Sequence, residues 1–542
     1  MERHPDRQSH DILPACAIEY IGRVTKKMRY RRRARAEVGA ELTAHFEDAL
    51  ADCVDARQRS ARARELIEQL GDAELLAVLC RRAKKRCRPL WRKVLLRSAQ
   101  GVAVFLLYSL LCSLPLFVGK PTIRVDYVQW LNEHWRPADE TADNAATYYK
   151  QAMALYVKPS QGLKRKVETS SPELADYDDV ELGLLSAWLG ENAAAFATLR
   201  KGAAVAHYWP VYEVNEPDLR NPNFLGCAME ALTGYRHLAF ALNHEIARAV
   251  RQGNLEDGLD DCLVVRRLGR HLQGRGLLVE QLVGIALEHL AYTALLRLLH
   301  DEPDVEARTL VRIRDELLTL RNEQRCAVSL DGEKAFWYDA IQRTFTDDGE
   351  GGGYALREGL PYAVGDWRDL LAVFTFDYPD RRETLVMVEE FFERIQQSLS
   401  VAPGQDDASA FDQQDDPALG SMLLSLLPGA YSRVNRQASV LKTHEAAALV
   451  IVALLSHRSD RGRYPASLGK LVETGYLAQL PQDPFRGGPF AYEVTADSFL
   501  LYSWGENLTD EGGIQGVDGR GKPRIWADNG DWVFWPPTAG DR

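Results

Sequence analysis

The longest apolar stretch of the chain covers residues 98–119, SAQGVAVFLLYSLLCSLPLFVG, with no charged residue between Arg97 and Lys120. A helix of about 20 apolar residues is long enough to cross a bilayer. The stretch begins too far into the chain for a secretory signal peptide. A buried core helix is the alternative, although such a helix usually carries some polar positions. We therefore predict one transmembrane helix over residues 98–119.

The part of the chain before this stretch divides into two segments. Residues 1–36 are rich in Arg and Lys and have little apolar periodicity, which predicts a basic disordered arm. Residues 37–90 have the three-to-four spacing of helices, with a glycine stop at Gly71 and an N-cap candidate at Asp72. This spacing predicts a helical prefix. Its apolar positions include Val38, Leu42 and Phe46 in the first helix, and Leu75, Leu76, Val78 and Leu79 in the third.

Beyond the apolar stretch, residues 120–400 have the pattern of successive amphipathic helices with short polar breaks. We predict a multi-helix domain here, and we assign no structure to residues 348–380. In the fifth helix, Glu280 and Glu288 are expected to lie largely off the apolar face. The predicted helices cover residues 143–157, 180–199, 224–251, 255–273, 277–299, 305–322 and 384–399.

The C-terminal part changes character. Residues 401–435 contain many aspartates and predict an acidic linker. Residues 436–456 are helical, and the apolar run within them is too short to span a membrane. A short helix over 468–474 and two strands over 490–495 and 498–503 follow. Residues 436–542 are therefore expected to form a small α+β module, and the fold class of the whole chain is mainly α.

Charge is distributed unevenly about the apolar stretch. Before residue 98 the chain has 23 Lys and Arg against 14 Asp and Glu, and the rest has 43 against 63. Because basic residues are retained on the cytoplasmic side, we expect the prefix in the cytoplasm and the acidic part outside, in a bacterial inner membrane. The basic residues are expected to contact anionic membrane lipid, and no nucleic acid is expected as a partner.

Motifs for known chemistry are not found. His244-Glu245 and His444-Glu445 each begin a metalloprotease-like motif, but the second histidine is missing. There is no phosphate-binding loop and no nucleophile elbow. Of the eight cysteines, three lie beyond the apolar stretch, and the sequence does not decide whether two of them form a disulfide. These three are Cys227, Cys262 and Cys326. Other groups are expected only to pack or to face solvent: His271, His289, His300, Glu389, Glu390 and Glu393.

The prefix resembles a known module. The text ELTAHFEDALADCV, followed by ARARELIEQLGDAELLAVL, resembles the helical prefix of permease-like and anti-sigma-like membrane proteins of bacteria. The resemblance covers about residues 37–80 and brings no catalytic residue. It implies contact with a protein partner close to the membrane. The matching positions are Glu41, Leu42, His45, Leu70, Gly71, Asp72 and Glu74.

The C-terminal module resembles the globular end of the major pseudopilin of type II secretion, as found in large membrane-anchored bacterial proteins of unassigned role. The matching features are Tyr464-Pro465, Leu468, Leu480-Pro481, Asp483-Pro484-Phe485, Gly487 or Gly488, Tyr492, the strand ending at Tyr502, Ser503, Gly505, Asp528 and Asp531-Trp532. A pseudopilin begins with its own membrane helix and a processing site, which this chain lacks before the module. Assembly by that route is therefore not implied.

The stretch 505–532 combines many glycines with carboxylates, so burial alone does not order it. Calcium binds six to eight oxygens on such flexible loops. The resemblance implies a calcium site and nominates Asp510, Glu511, Asp528 and Asp531 as ligands. The alternative is a solvated acidic turn held by the packing of Trp526, Trp532, Phe534 and Trp535.

The sequence thus predicts a single-pass membrane-anchored protein that serves as a non-enzymatic binding or assembly component of the cell envelope. Protein partners are expected on both sides of the membrane, and the resemblance adds a link to secretion. Two alternatives stay open: a signalling protein whose prefix binds a cytoplasmic regulator, and an enzyme that acts on an envelope polymer. No small-molecule substrate is identified.

Overall fold

The structure, a computed structural model, confirms the mainly α class: its described part has eighteen helices and three strands. Contacts divide the chain into two compact units, Met1–Leu111 and Cys112–Arg542. The described residues are 13–86, 90–139, 141–167, 177–213, 224–302, 305–322, 328–356, 379–399, 428–495 and 497–537.

The first unit contains four short helices around one core. They are α1 (Ala15–Lys27), α2 (Arg32–Ala49), α3 (Ala56–Leu70) and α4 (Ala73–Arg86). Apolar residues at three-to-four spacing bring one face of each helix into this core, which explains why such short helices are stable together. The buried residues are Ala17, Tyr20, Val24, Met28, Val38, Phe46, Leu50, Ala63, Leu66 and Ala77.

Helix α1 corrects the prediction of a disordered arm over residues 1–36. Residues 1–12 lie outside the described part, but 15–27 are helical. Tyr20 and Val24 are buried, and the Tyr20 hydroxyl donates a hydrogen bond of 2.8 Å to the carbonyl of Gly71. Lys27 forms an ion pair of 2.6 Å with Glu74. The many basic residues obscure the apolar spacing of α1 in the sequence. Its narrow apolar face packs against α2 and α4.

Helix α5 (Leu90–Val118) contains the predicted transmembrane stretch and begins eight residues earlier. By length and composition alone, three helices could cross a membrane: Val94–Leu111, Leu278–Asp301 and Arg436–Arg461. The protein buries none of the first window, 61% of the second and 89% of the third. The sequence predicts one helix of this kind, but three of the described helices have the required length and composition. The helix near residue 436 was missed because it extends well beyond its short apolar run.

The second unit contains the other helices. They are α6 (Tyr127–His134), α7 (Ala145–Leu155), α8 (Gln161–Val167), α9 (Asp179–Glu191), α10 (Ala193–Ala204), α11 (Phe224–Arg251), α12 (Leu255–Leu272), α13 (Leu278–Asp301), α14 (Ala307–Asn322), α15 (Asp331–Thr344), α16 (Arg381–Ser398), α17 (Pro428–Arg461) and α18 (Gly469–Glu473). The helix predicted over 180–199 is two helices that meet at Asn192, whose side chain accepts a hydrogen bond of 2.9 Å from the Val157 amide.

Helix α13 lies between two apolar cores, so its surface is buried on more than one side. Ile285, Leu295 and Leu299 belong to the core shared with α14 and α17, whereas Leu287 and Leu290 belong to the core shared with α7 and α11. Side chains predicted to lie largely off the apolar face, such as those of Glu280 and Glu288, are therefore also covered by protein. Both carboxylates are buried, at 4% and 3% exposure.

Polar partners explain how these two glutamates are tolerated. Glu280 accepts a hydrogen bond from the Tyr212 hydroxyl and another, of 2.7 Å, from the Leu277 amide. Glu288 accepts one of 2.7 Å from the Gln273 amide group and lies 3.7 Å from the buried guanidinium of Arg266. Buried charges are found where such partners compensate for lost water.

Strands β1 (Ala491–Val494), β2 (Phe499–Ser503) and β3 (Trp532–Trp535) form an antiparallel sheet in the order β1-β2-β3. Phe499, Leu501 and Trp532 share one core with Leu449 of α17. The same core includes residues of α12 to α16.

The predicted domain boundary at residue 436 is therefore absent from the described structure. Helix α17 packs on α13 and α14 as well as on β2 and β3. The predicted acidic linker 401–435 lies outside the described residues up to 427, and residues 428–435 belong to α17. The C-terminal sheet and the outer helices fold as parts of one unit.

Candidate metal centre

The loop from residue 504 to 531 joins the neighbouring strands β2 and β3 and contains all four predicted metal ligands. Both ends of the loop are fixed by the sheet, and one flank is tied to α17. There, the Arg436 guanidinium donates to both carboxylate oxygens of Glu506 at 2.8 Å. This bidentate pair places the start of the loop against the long helix.

Aromatic packing supports the other side of the loop. The rings of Trp526 and Trp532 meet edge to face with centroids 5.0 Å apart, and Trp532 and Phe534 are buried. The Trp532 indole also donates a hydrogen bond of 3.0 Å to the carbonyl of Ala527. The aromatic packing that was considered as the alternative to a metal is therefore present on this side of the loop. It does not involve the polar side chains in the interior of the loop.

Asp531 lies at the centre of that interior. Its side chain is fully buried, and its Oδ2 accepts hydrogen bonds from the amides of Glu511 at 3.1 Å and Gly513 at 2.7 Å. Gly513 has a φ of +80°, which a residue without a side chain adopts most easily. The other oxygen of Asp531, Oδ1, is buried without a hydrogen-bond partner among the described residues.

Two further residues of the loop have buried polar atoms without a partner in the described structure. Glu511 accepts a hydrogen bond of 2.8 Å from Asn507 on one carboxylate oxygen, while its Oε2 has none. Gln515, which forms a backbone bridge with Asp531, has neither its Oε1 nor its Nε2 paired. An unpaired buried polar atom costs about 1–3 kcal/mol, so these atoms require partners such as water, a proton shared between the two carboxyl groups, or a cation.

Asp510 lies beside this group. Its Oδ1 accepts hydrogen bonds from the Tyr502 hydroxyl at 3.0 Å and the Gly512 amide at 3.1 Å. The Gly512 amide is the main cause that lowers the pKa of Asp510. Asp510 is therefore a carboxylate held in its charged form at the edge of the loop interior.

Asp528 does not join the other three nominated residues. It is exposed, makes no hydrogen bond to them within the described loop, and lines a cavity of about 570 Å³ with His289, Arg436 and Trp526. In the same turn, Gly530 approaches Gly516 so closely that an added Cβ would lie 2.5 Å from the Gly516 nitrogen. Asp510, Glu511 and Asp531 thus lie in the same part of the loop, and Asp528 does not.

Electrostatics make the group unfavourable without a cation. Burial is the largest cause that raises the pKa of Asp531 to about 6, and the charge of Glu511, a hydrogen bond shared with the Glu511 side chain and the charge of Asp510 add to it. Desolvation and like charges both oppose ionisation of a carboxyl group. A bound cation would reverse both effects and stabilise the ionised forms of all three carboxylates.

The side chains of the loop are not arranged as a ready-made metal site, and calcium is favoured only by the chemistry of the donor atoms. Within the part of the chain that the structure describes, no group of three or more His, Cys, Asp and Glu side chains is arranged to hold a metal. Calcium also takes amide and backbone carbonyl oxygens. Glu511 Oε2, Asp531 Oδ1 and Gln515 Oε1 are hard oxygens of this kind, and the loop backbone could supply more. Sequence reasoning missed Gln515, because a single glutamine in a loop carries no signal.

The histidines and glutamates that were expected to pack or to face solvent are either buried or half-buried against other side chains, or exposed. His271 is buried, with its Nδ1 2.7 Å from the Tyr149 hydroxyl, and His289 stacks on His444 with their Nδ1 atoms 3.1 Å apart. His300 is exposed at the end of α13. The three glutamates of α16, Glu389, Glu390 and Glu393, are exposed too. Cys262 is a buried free thiol, and the side chains of Cys227 and Cys326 lie outside the described part.

Comparison with models of protein families, with curated proteins and with solved structures gives no match.

Proposed function

We propose that this chain is a membrane-anchored protein of the bacterial envelope whose outer unit ends in a calcium-ordered loop and serves as a binding or assembly component. The observation that carries the proposal is the group of buried oxygens without partners on Glu511, Gln515 and Asp531. Calcium would give these oxygens a partner and the loop one fixed shape.

The anchor in this proposal is α5. The residues of Val94–Leu111 are exposed, whereas the other two candidate helices are largely covered by protein. Leu278–Asp301 also carries the buried Glu280 and Glu288, whose hydrogen-bond partners Tyr212 and Gln273 lie outside this helix in non-helical segments. We therefore assign a single membrane pass. The excess of Lys and Arg before residue 98 supports a cytoplasmic N-terminus and an extracytoplasmic second unit.

Calcium in the loop would be held by Asp510, Glu511 and Asp531, with the Gln515 amide oxygen and backbone carbonyls completing the shell. The ion would supply no reaction chemistry here. It would neutralise the carboxylates of the loop. It would also hold the loop in one conformation between the sheet and the 570 Å³ cavity. An ordered surface loop loses less conformational entropy when a partner binds, which favours a role in assembly.

Calcium is expected to raise the melting temperature of the outer unit. At a free calcium concentration of about a hundred times the Kd, ligand binding stabilises the folded state by about 2.7 kcal/mol. The full chain in nanodiscs is the right sample, because α17 is mostly buried by other helices and a fragment of residues 430–542 would expose it. Melts with calcium, with magnesium and with chelator provide the measurement. Equal melting temperatures in calcium and chelator, together with no heat of binding, would contradict the site.

The assembly role is tested by calcium-dependent capture. The tagged full chain, extracted from native envelopes in calcium, is expected to retain a partner that it loses in chelator. The variant Asp531→Asn should lose the same partner even in calcium, because one ligand oxygen is replaced by an amide nitrogen or a neutral oxygen. An identical set of captured proteins under all three conditions would contradict the role. Turnover of an envelope polymer by the purified chain would favour the enzyme instead.

A further inference from the structure

Helix α4 has two apolar faces, and only one of them is used inside the first unit. Ala77 is buried in the four-helix core, with Leu76 packed against it. On the opposite side, Leu75, Val78 and Leu79 are 62%, 43% and 51% exposed. Their spacing of three and four residues places them on one stripe of the helix. Water contact along this whole stripe is unfavourable, so something covers it.

Basic residues extend this stripe toward the membrane anchor. Arg81, Arg82 and Lys85 are exposed on the last turns of α4. Lys84 is the exception: it bonds Glu41 of α2 at 2.9 Å and so belongs to the interior side of the helix. The outer side therefore carries apolar residues followed by cations, the pattern of helices that lie in the plane of a membrane surface.

The chain keeps α4 close to the bilayer. α4 ends at Arg86 and α5 begins at Leu90, four residues before the exposed apolar window starts at Val94. Four residues of extended chain and four of helix reach at most about 20 Å. The thickness of the headgroup layer is comparable. The cationic end of α4 is thus tethered where anionic headgroups are found.

We infer that the face formed by Leu75, Val78 and Leu79 lies in the interfacial layer of an anionic bilayer, with Arg81, Arg82 and Lys85 among the lipid phosphates. The inference rests on the proposed function only in taking α5 as the anchor. The first unit would then lie against the membrane surface.

Photocrosslinking tests this in the full chain. p-Benzoylphenylalanine is placed at position 79, at exposed Glu68 of α3 as the aqueous control, or at Val104 within α5 as the membrane control. Each protein is reconstituted in nanodiscs of phosphatidylcholine and phosphatidylglycerol, irradiated and analysed by mass spectrometry. We expect at least about tenfold more lipid adduct at position 79 than at 68.

The control positions separate the possible failures. If position 104 forms lipid adducts but position 79 forms no more than position 68, the inference is overturned and the assignment of α5 as the anchor stands. Lipid adducts at neither 79 nor 104 would overturn the anchor as well. Protein adducts at 79 would also overturn the inference, because a second copy or another protein would then cover the face.

Charge provides a second readout. The triple variant Arg81→Gln, Arg82→Gln, Lys85→Gln keeps the apolar stripe, and we expect its lipid adduct at position 79 to fall several-fold in low salt with phosphatidylglycerol present. In phosphatidylcholine alone, the triple variant and the parent should be equal. An equal loss in both lipids would overturn the assigned contact with anionic headgroups, and circular dichroism at 222 nm checks that the variant stays folded.

Discussion

Replacing Arg266 with methionine is expected to destabilise the second unit by about 3–5 kcal/mol, because the change leaves the buried Glu288 and the partly buried Glu445 without their cation. Arg266 is 2% exposed in α12, and its guanidinium lies 3.7 Å from Glu288 of α13 and 3.7 Å from Glu445 of α17. Its Nε also donates a hydrogen bond of 2.7 Å to the Tyr292 hydroxyl. One side chain thus joins three helices, and thermal denaturation followed at 222 nm should show a markedly lower midpoint.

The neighbouring arginine provides a matched control. Arg267 bonds Glu316 at 2.6 Å, but its side chain is 31% exposed, so Arg267→Met is expected to change stability by less than about 1 kcal/mol. Adding Glu288→Gln and Glu445→Gln to Arg266→Met should recover much of the loss, because the buried charges are then removed together. Similar midpoints for Arg266→Met and Arg267→Met would contradict the electrostatic explanation.

Calcium affinity is expected to depend on pH through Asp531. Its pKa is raised to about 6 in the folded protein against 3.8 for a free aspartate, so the folded state favours the protonated form. The stabilisation from this proton is fully present below about pH 4 and is lost as pH rises through about 6. Calcium must displace the proton, so we expect roughly tenfold weaker binding at pH 5 than at pH 7 in calorimetric titrations.

Two asparagine variants make the expectation specific. Asp531→Asn should bind calcium poorly at every pH. Without metal, the stability of this variant relative to the wild type should increase from pH 4 to pH 7. The reason is that only the wild type has a proton to lose at this position. Asp528→Asn is the control, because Asp528 is exposed on the cavity wall. Its affinity should stay within about twofold of the wild type. An equal loss in both variants, or calcium affinity that is constant between pH 5 and 7, would exclude Asp531 as the titrating ligand.

Helix positions could largely be predicted from the sequence, whereas helix burial could not. α11 has the predicted bounds, 224–251, because local apolar spacing and breaks determine where a helix starts and stops. Tertiary partners decide which faces are covered. Glu280 and Glu288 were placed off the apolar face for their charge, yet Tyr212, Gln273 and Arg266 from distant segments make their burial possible.

The candidate metal centre was predictable only in part, for a similar reason. Asp510, Glu511 and Asp531 stand out as carboxylates in a glycine-rich loop, and they lie in the same part of the folded loop. Asp528 is a carboxylate of the same loop, but in the folded protein it is exposed on the wall of the cavity. Gln515 gave no signal at all, since its importance comes from buried amide atoms that only the folded loop reveals.

The shared core of α17 has a consequence for the order of events as the chain is made. The apolar faces of α13 and α14 are complete once residue 322 has been synthesised, but the helix that covers them begins only at Pro428. For the time needed to make about a hundred residues, at roughly 5–20 residues per second, these faces stay open. We therefore expect the second unit to expose these faces for several seconds during synthesis, and a chain truncated before α17 to be prone to aggregation.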